Sequence, residues 1–205
     1  MRLLLTSSAF QDKAVRVRAK FFDLVGKSPA DIKVAFIPTA SAVENDRAYM
    51  NINRRELEEM GIPAENITNL ELDHPVTLEE LGKYNVIFVD GGNTFYLLQK
   101  VREFGFDRAI KEYLDQDLGV YVGVSAGTVI MGPDIEFAES WDDKNKAMLE
   151  NTQGLGYTQD AYSPHYNDGE KAILDEWRSK VNYSIKELRD GQAVVIDKAR
   201  QEFIG

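Results

Sequence analysis

The segment Gly123-Val124-Ser125-Ala126-Gly127 follows directly on the apolar run Val120 to Val124. A Gly-x-Ser-x-Gly pattern at the end of a strand describes a nucleophile elbow, a strand-to-helix turn so sharp that the serine hydroxyl stands exposed at its tip. The glycines have a physical reason, because a Cβ at position 123 or 127 would collide with neighbouring backbone. Apolar Val129-Ile130-Met131 carries the chain on into a helix. The chemistry expected of such a serine is attack on a carbonyl carbon, which requires a base to take its proton and donors to receive the oxyanion. The plainer alternative is a tight turn whose serine only caps a helix.

The base must come from one of two histidines. His74 lies in the polar stretch Leu72-Asp-His-Pro75 and reads as an exposed loop residue. His165 lies in Tyr162-Ser-Pro-His-Tyr-Asn167, after a proline that fixes its backbone, and is the candidate base. One oxyanion donor, the N–H of Ala126, follows the nucleophile automatically. A second is expected at Gly92 in Asp90-Gly-Gly-Asn-Thr94, directly after a strand ending at Val89. In an open parallel sheet that loop lies at the carboxyl ends of the strands, where ligands bind. Gly91 and Asn93 of the same loop are candidate substrate contacts. The same residues also suit an ordinary glycine-rich turn with Asn93 or Thr94 capping the next helix, and both readings can hold together.

The elements that would position these groups alternate between strand and helix. Arg2 to Thr6, Lys33 to Ile37, Asn85 to Val89 and Val120 to Val124 read as strands, with a weaker one at Ile67 to Leu72. Ala14, Val17, Phe21 and Leu24 recur at helical spacing, and a polar helix is expected around Glu44 to Met60. Phe106, Ala109, Ile110, Tyr113 and Leu114 form an amphipathic stripe. Continuous apolar strands separated by helices predict an α/β fold, a mostly parallel sheet covered on both faces. Beyond it, Gly154 to Tyr166 reads as loop or short strands, Ile173, Trp177 and Val181 suggest a helix, and Ile185 to Leu188 fits helix or strand. Ala193 to Ile196 reads as a strand that Gln201 to Ile204 can join as a hairpin.

Composition sets the outer bounds. With 205 residues, 43% apolar and 28% charged, residues 1–205 are expected to form one globular domain. A net charge of −10 argues against non-specific partners such as nucleic acid or an anionic membrane. The lack of cysteine excludes disulfides, thiolate catalysis and cysteine-bound zinc. Met1 to Thr6 is too short and too soon polar for a signal peptide, and no apolar run reaches membrane-spanning length, so the cytoplasm is the expected compartment. Asp142-Asp143 and Asp73-His74 offer metal ligands, but in no recognisable metal spacing. No phosphate loop or complete dinucleotide fingerprint is present, and no metal or cofactor is expected. Oligomeric state is not legible.

Three motifs in this order, Asp90-Gly-Gly-Asn-Thr-Phe-Tyr-Leu-Leu98, the Ser125 elbow and Ser163-Pro-His-Tyr166, resemble the serine peptidase family of aspartyl dipeptidase (dipeptidase E) and cyanophycinase. The resemblance covers most of the chain. It implies a three-layer sandwich with class I glutamine amidotransferase-like (flavodoxin-like) topology, serine in place of cysteine, and cleavage of short peptides or related amides without a cofactor. It also aligns Leu188-Arg-Asp-Gly191 with a Leu-x-Glu-Gly turn whose glutamate orients the histidine, making Asp190 the third member of the triad, one methylene shorter. The amidotransferase pattern His-x-Glu is absent, since position 167 is Asn. The other candidate acids, Glu136, Glu139, Asp142 and Asp143, read more simply as a solvated charged loop.

The expected activity is therefore hydrolysis of a small peptide through an acyl-enzyme on Ser125. An N-terminal aspartate would require a cation near the site. The stretch Tyr166-Asn-Asp-Gly-Glu-Lys-Ala172 is short and acidic, with Lys171 alone, and Arg178 is the other candidate, so an aspartate-specific pocket is not established. An esterase or lactonase with the same triad, and a catalytically silent ligand-binding protein that keeps the elbow for structural reasons, are the rival readings.

Overall fold

A computed structural model describes residues 1–10, 14–45 and 47–205. Its elements are β1 (Arg2–Thr6), α1 (Val15–Val25), β2 (Val34–Ile37), α2 (Ala48–Glu59), β3 (Ile67–Asn69), α3 (Leu78–Leu81), β4 (Val86–Val89), α4 (Thr94–Glu103), α5 (Phe106–Asp115), β5 (Val120–Val124) and α6 (Ala126–Val129). There follow β6 (Ala161–Ser163), α7 (Lys171–Lys180), β7 (Ile185–Glu187), β8 (Ala193–Asp197) and β9 (Arg200–Ile204). Seven strands form one sheet in the order β3-β2-β4-β5-β1-β8-β9. The first five pair in parallel; β8 runs antiparallel to β1, and β9 antiparallel to β8.

Strand alternation sends successive side chains to opposite faces, and here both faces are apolar. Leu3, Leu5, Ile37, Val89 and Tyr121 share one core with Leu98 and Val101 of α4, Ile110 and Leu114 of α5, and Leu174 of α7. Leu4, Phe36, Phe88, Val122 and Val124 share the other with Val17, Phe21 and Leu24 of α1 and Leu57 of α2. The result is a helix–sheet–helix sandwich. Each fully buried large apolar side chain contributes ~1.5–3 kcal/mol, against ~0–1 kcal/mol for an exposed ion pair. The layers therefore outweigh surface pairs such as Lys111–Asp115.

The termini of several elements differ from the sequence expectation. The polar helix expected at 44–60 occupies Ala48–Glu59, because the chain before it forms a 3-10 turn, Thr39–Val43, whose last carbonyl receives the Lys146 ammonium. The strand expected at 67–72 ends at Asn69, and Leu70 adds one further bond to Phe36 O (2.8 Å). A short helix, α3, capped by the Thr77 hydroxyl, has no counterpart in the sequence reading. Ile185 to Leu188, open between helix and strand, gives the strand β7, because it pairs in parallel with β6 across α7.

The elbow needs its glycines for close approach. A Cβ on Gly127 would lie 2.2 Å from Val89 O, and one on Gly123 would lie 2.5 Å from Gly127 O. Both obstacles are buried backbone, one at the end of β4 and one in α6, and cannot move aside. Gly127→Ala should therefore lower unfolding free energy by ~1–3 kcal/mol or more. Denaturant titration checks this, and a midpoint equal to the parent's would show that the β4–α6 contact is looser than described.

Candidate active site

Ser125 sits at the tip of the elbow with φ 50° and ψ −111°, a left-handed backbone costly for a residue with a Cβ. Several bonds hold it there. Ser125 N–H donates to Thr6 O (3.2 Å), and the Ser125 carbonyl accepts from Thr128 and Val129 N–H (2.8 and 3.0 Å). The buried Thr128 hydroxyl reaches both Thr6 O and Gly123 O, and the Tyr121 hydroxyl donates to Gly127 O at 2.7 Å. Strain of ~1–3 kcal/mol is sustainable only in such a bonded setting.

His165 is also left-handed, with φ 56°. Its Nδ1 lies 2.8 Å from Asp190 Oδ1. The two loops meet because β6 and β7 are neighbours. Ser163 pairs with Glu187, Leu188 N–H donates to Ser163 O (2.9 Å), and Tyr166 N–H donates to Leu188 O (3.2 Å). Both side chains of the His165–Asp190 pair are about half exposed, 51% and 55%, so their attraction is screened. Its value lies in fixing the ring rather than in stability.

Ser7, which the sequence reading did not single out, ties this pair to the sheet. Fully buried just beyond β1, its hydroxyl donates to Asp190 Oδ1 (2.8 Å) and accepts from His165 N–H (2.7 Å). Ser8 adds a bond from Gly191 N–H to its hydroxyl (3.1 Å). A serine next to a strand carries no local signal for this role; only the register of β1 beside β8 places it under the 188–191 turn.

The loop after β4 faces Ser125. Gly91 approaches so closely that an added Cβ would stand 3.2 Å from the Ser125 Cβ. Gly92 has φ 132°, and a Cβ there would lie 2.4 Å from Ala40 O. Asn93 caps α4 by accepting from Tyr96 N–H (2.9 Å) and donates to Asp143 O (3.1 Å), so its side chain is engaged at both ends and shapes the loop. Asp90 is fully buried. Its Oδ1 accepts from Asn53 Nδ2 and Gly91 N–H (2.6 and 2.8 Å), while its Oδ2 has no partner among the described residues. Burial pushes its carboxyl up to about 7 against the lowering effect of those two donors, and Glu56 adds to the rise.

Ser125 and His165 line a cavity of about 360 Å³ together with Ser8, Glu44, Tyr49, Asn53, Gly91, Gly92 and Asp142. Asp142, read from sequence as part of a solvated loop, is half-buried instead. Its Oδ2 accepts from Thr94 N–H (2.8 Å), and burial raises its carboxyl above the usual range. Glu136 is exposed, Glu139 pairs with Lys144, and Asp143 caps the turn at Asn145. His74 stands on the surface between Asp73 and Glu80, which raise its pKa, and it does not line this cavity. Arg178 is bound to Asp175, Glu187 and Ile185 O, and Lys171 to Asp175; neither lines the cavity. Among the described residues no group of three or more potential ligands could hold a metal ion, and no helix is long and apolar enough to cross a membrane.

The model of peptidase family S51 matches residues 3–204. An uncharacterized peptidase of Listeria monocytogenes is 34% identical over 169 residues, which cover 82% of this chain and 80% of that protein. Peptidase E of Streptomyces coelicolor is 29% identical over 168 residues, covering 82% of this chain and 65% of that protein. A crystal structure of a Listeria monocytogenes protein assigned as peptidase E matches with a TM-score of 0.82 and 31% identity, covering 98% of this chain and 96% of its own. The fold is thus the class I glutamine amidotransferase-like one, a mixed, mostly parallel seven-stranded sheet flanked by helices.

Two outcomes follow from the geometry. Ser7→Ala should slow fluorophosphonate labelling of Ser125 on the order of 10²-fold, because His165 and Asp190 lose their common anchor; an unchanged labelling rate in a folded variant would deny Ser7 this part. Asp90 holds its proton in the fold to about pH 7, whereas the unfolded carboxyl ionises near 3.8. The folded state thus binds more protons across that window, and stability falls as pH rises through it, by on the order of a few kcal/mol. Asp90→Asn removes this dependence. Its melting temperature relative to the parent should rise between pH 5 and pH 8, and a constant difference would place Asp90 in an ordinary ionised state.

Proposed function

The chain belongs to peptidase family S51 and is a serine-type peptidase; on that premise we propose that it hydrolyses short peptides through an acyl-enzyme on Ser125, with His165 as base and Asp190 as its orienting acid. The observation that carries the reading is the 2.8 Å bond from His165 Nδ1 to Asp190 Oδ1, with Ser125 and His165 on one cavity. With Nδ1–H held by the carboxylate, Nε2 is left as the proton acceptor. No hydrogen bond joins Ser125 Oγ to His165 among the described residues, and such bonds commonly tighten only when substrate binds.

In the first step Ser125 Oγ forms a bond to the scissile carbonyl carbon as His165 Nε2 takes its proton. The carbonyl π pair moves to oxygen, where the N–H groups of Gly92 and Ala126 receive it; neither is engaged by another protein acceptor among the described residues. Collapse breaks the C–N bond, and His165 returns the proton to the departing amine. Water then repeats the sequence against the acyl ester and regenerates Ser125. Asp190 stabilises the imidazolium in both halves, and Gly91 leaves room beside Ser125 for the substrate backbone.

Ser125→Ala should abolish fluorophosphonate labelling and lower turnover on the order of 10⁶-fold, with His165→Ala comparably severe and His74→Ala silent. Asp190→Asn should cost up to ~10⁴-fold, because the amide presents the wrong partner to Nδ1, whereas Asp190→Glu keeps the charge and should be much milder. Steady-state turnover on one cleaved dipeptide, with melting curves for each variant, checks all of these. Retained turnover in folded Ser125→Ala would exclude the acyl-enzyme.

A further inference from the structure

Beside the main cavity lies a second recess of about 110 Å³ that shares Ser125, Asp142 and His165 with it. Its remaining walls are largely apolar, chiefly Val129, Phe137, Ala138, Trp141 and Pro164. Resting on the reading of Ser125 as nucleophile, we propose that this recess receives the apolar side chain of a peptide's N-terminal residue, and that the enzyme prefers dipeptides beginning with a residue the size of leucine over those beginning with aspartate.

Size is the first argument. An apolar cavity of about 150 Å³ holds benzene, so 110 Å³ suits a smaller group of about four carbons, the size of a leucine side chain. Construction is the second. Trp141 is 41% exposed, which is unusual for so large an apolar ring, yet it is anchored. Its indole N–H donates to Glu170 Oε1 (3.0 Å), and its ring meets buried Phe137 edge-on at 6.4 Å. The turn between them is pinned by a bond from Trp177 Nε1 to Ser140 Oγ (2.8 Å). An aromatic wall held open towards solvent beside a nucleophile is poised to bury a ligand's apolar surface.

Charge is the third argument. Neither recess has a lysine or arginine among its described lining residues, and Asp142 lines both. A substrate aspartate in the small recess would meet the like charge of Asp142, with Lys146 acting on that carboxyl only from outside the described lining. A free α-ammonium, carried on the same carbon as the N-terminal side chain, would find an opposite one. Lys171 and Arg178 are bound to Asp175 and Glu187 outside both recesses, Lys144 pairs with Glu139, and Lys146 is held by Val43 O and Glu44.

The test compares kcat/KM for Leu-Ala, Ala-Ala, Asp-Ala, Ala-Leu and N-acetyl-Leu-Ala, alongside fluorophosphonate labelling of the parent enzyme. Leu-Ala should exceed Ala-Ala by about tenfold or more, the scale of discrimination that added methylenes provide in an apolar pocket. Asp-Ala should fall below Ala-Ala, and N-acetylation should remove most of the Leu-Ala rate. Ala138→Leu, which fills the recess, and Trp141→Ala, which opens its wall, should each lower the Leu-Ala to Ala-Ala ratio. The proposal is overturned if Asp-Ala is preferred, if Leu-Ala and Ala-Ala are equal, if the preference follows leucine in Ala-Leu instead, or if the ratio survives in both variants. Labelling of Ser125 with a flat panel defeats this inference alone; absence of labelling defeats the serine reading beneath it as well.

Discussion

The candidate site depends on the carboxyl end of β1. That strand lies between β5 and β8, so its exit reaches both the elbow and the 188–191 turn. Thr6 O takes the Ser125 N–H, Ser7 Oγ bridges His165 N–H and Asp190 Oδ1, and Ser8 Oγ takes the Gly191 N–H. Three consecutive residues thereby set the relative positions of candidate nucleophile, base and acid. Because Thr6 to Ser8 are buried, these bonds face little competition from water.

Part of the backbone strain lies at the same place. Among the described non-glycine residues with positive φ, Ser125 and His165 line the candidate site. Each would relax if its turn were free. The elbow is closed by glycines packed against the Val89 and Gly127 carbonyls, and the 163–166 segment is closed by its pairing with Leu188. Rigid sheet elements on either side hold the groups in orientations that flexible loops would abandon.

The two recesses around Ser125 differ in character, yet Asp142 lines both. Asp142 reaches back to Thr94 N–H at the start of α4, and Asp143 O takes the Asn93 amide. The acidic segment after the elbow is thus stitched to the glycine-rich loop after β4. That stitching brings the Asp142 carboxyl to the wall of both recesses.

The elbow was legible in the sequence because its constraint is local: a strand, two glycines at fixed spacing and a serine describe a turn that few other structures need. The apolar strands, and hence the layered sheet, were legible because side-chain alternation and helical spacing are local periodicities. His165 emerged because there are few histidines, and Asp190 through resemblance to a family turn, since nothing in Leu188 to Gly191 itself points towards residue 165. Tertiary structure alone decided the rest. Ser7 acquires its bonds from the β1–β8 register, and Asp142 is half-buried because its loop folds back onto α4. Trp141 becomes a wall because Glu170, far along the chain, holds its indole. Each of these contacts joins segments distant in sequence, and the chain encodes them only through packing of the layers between.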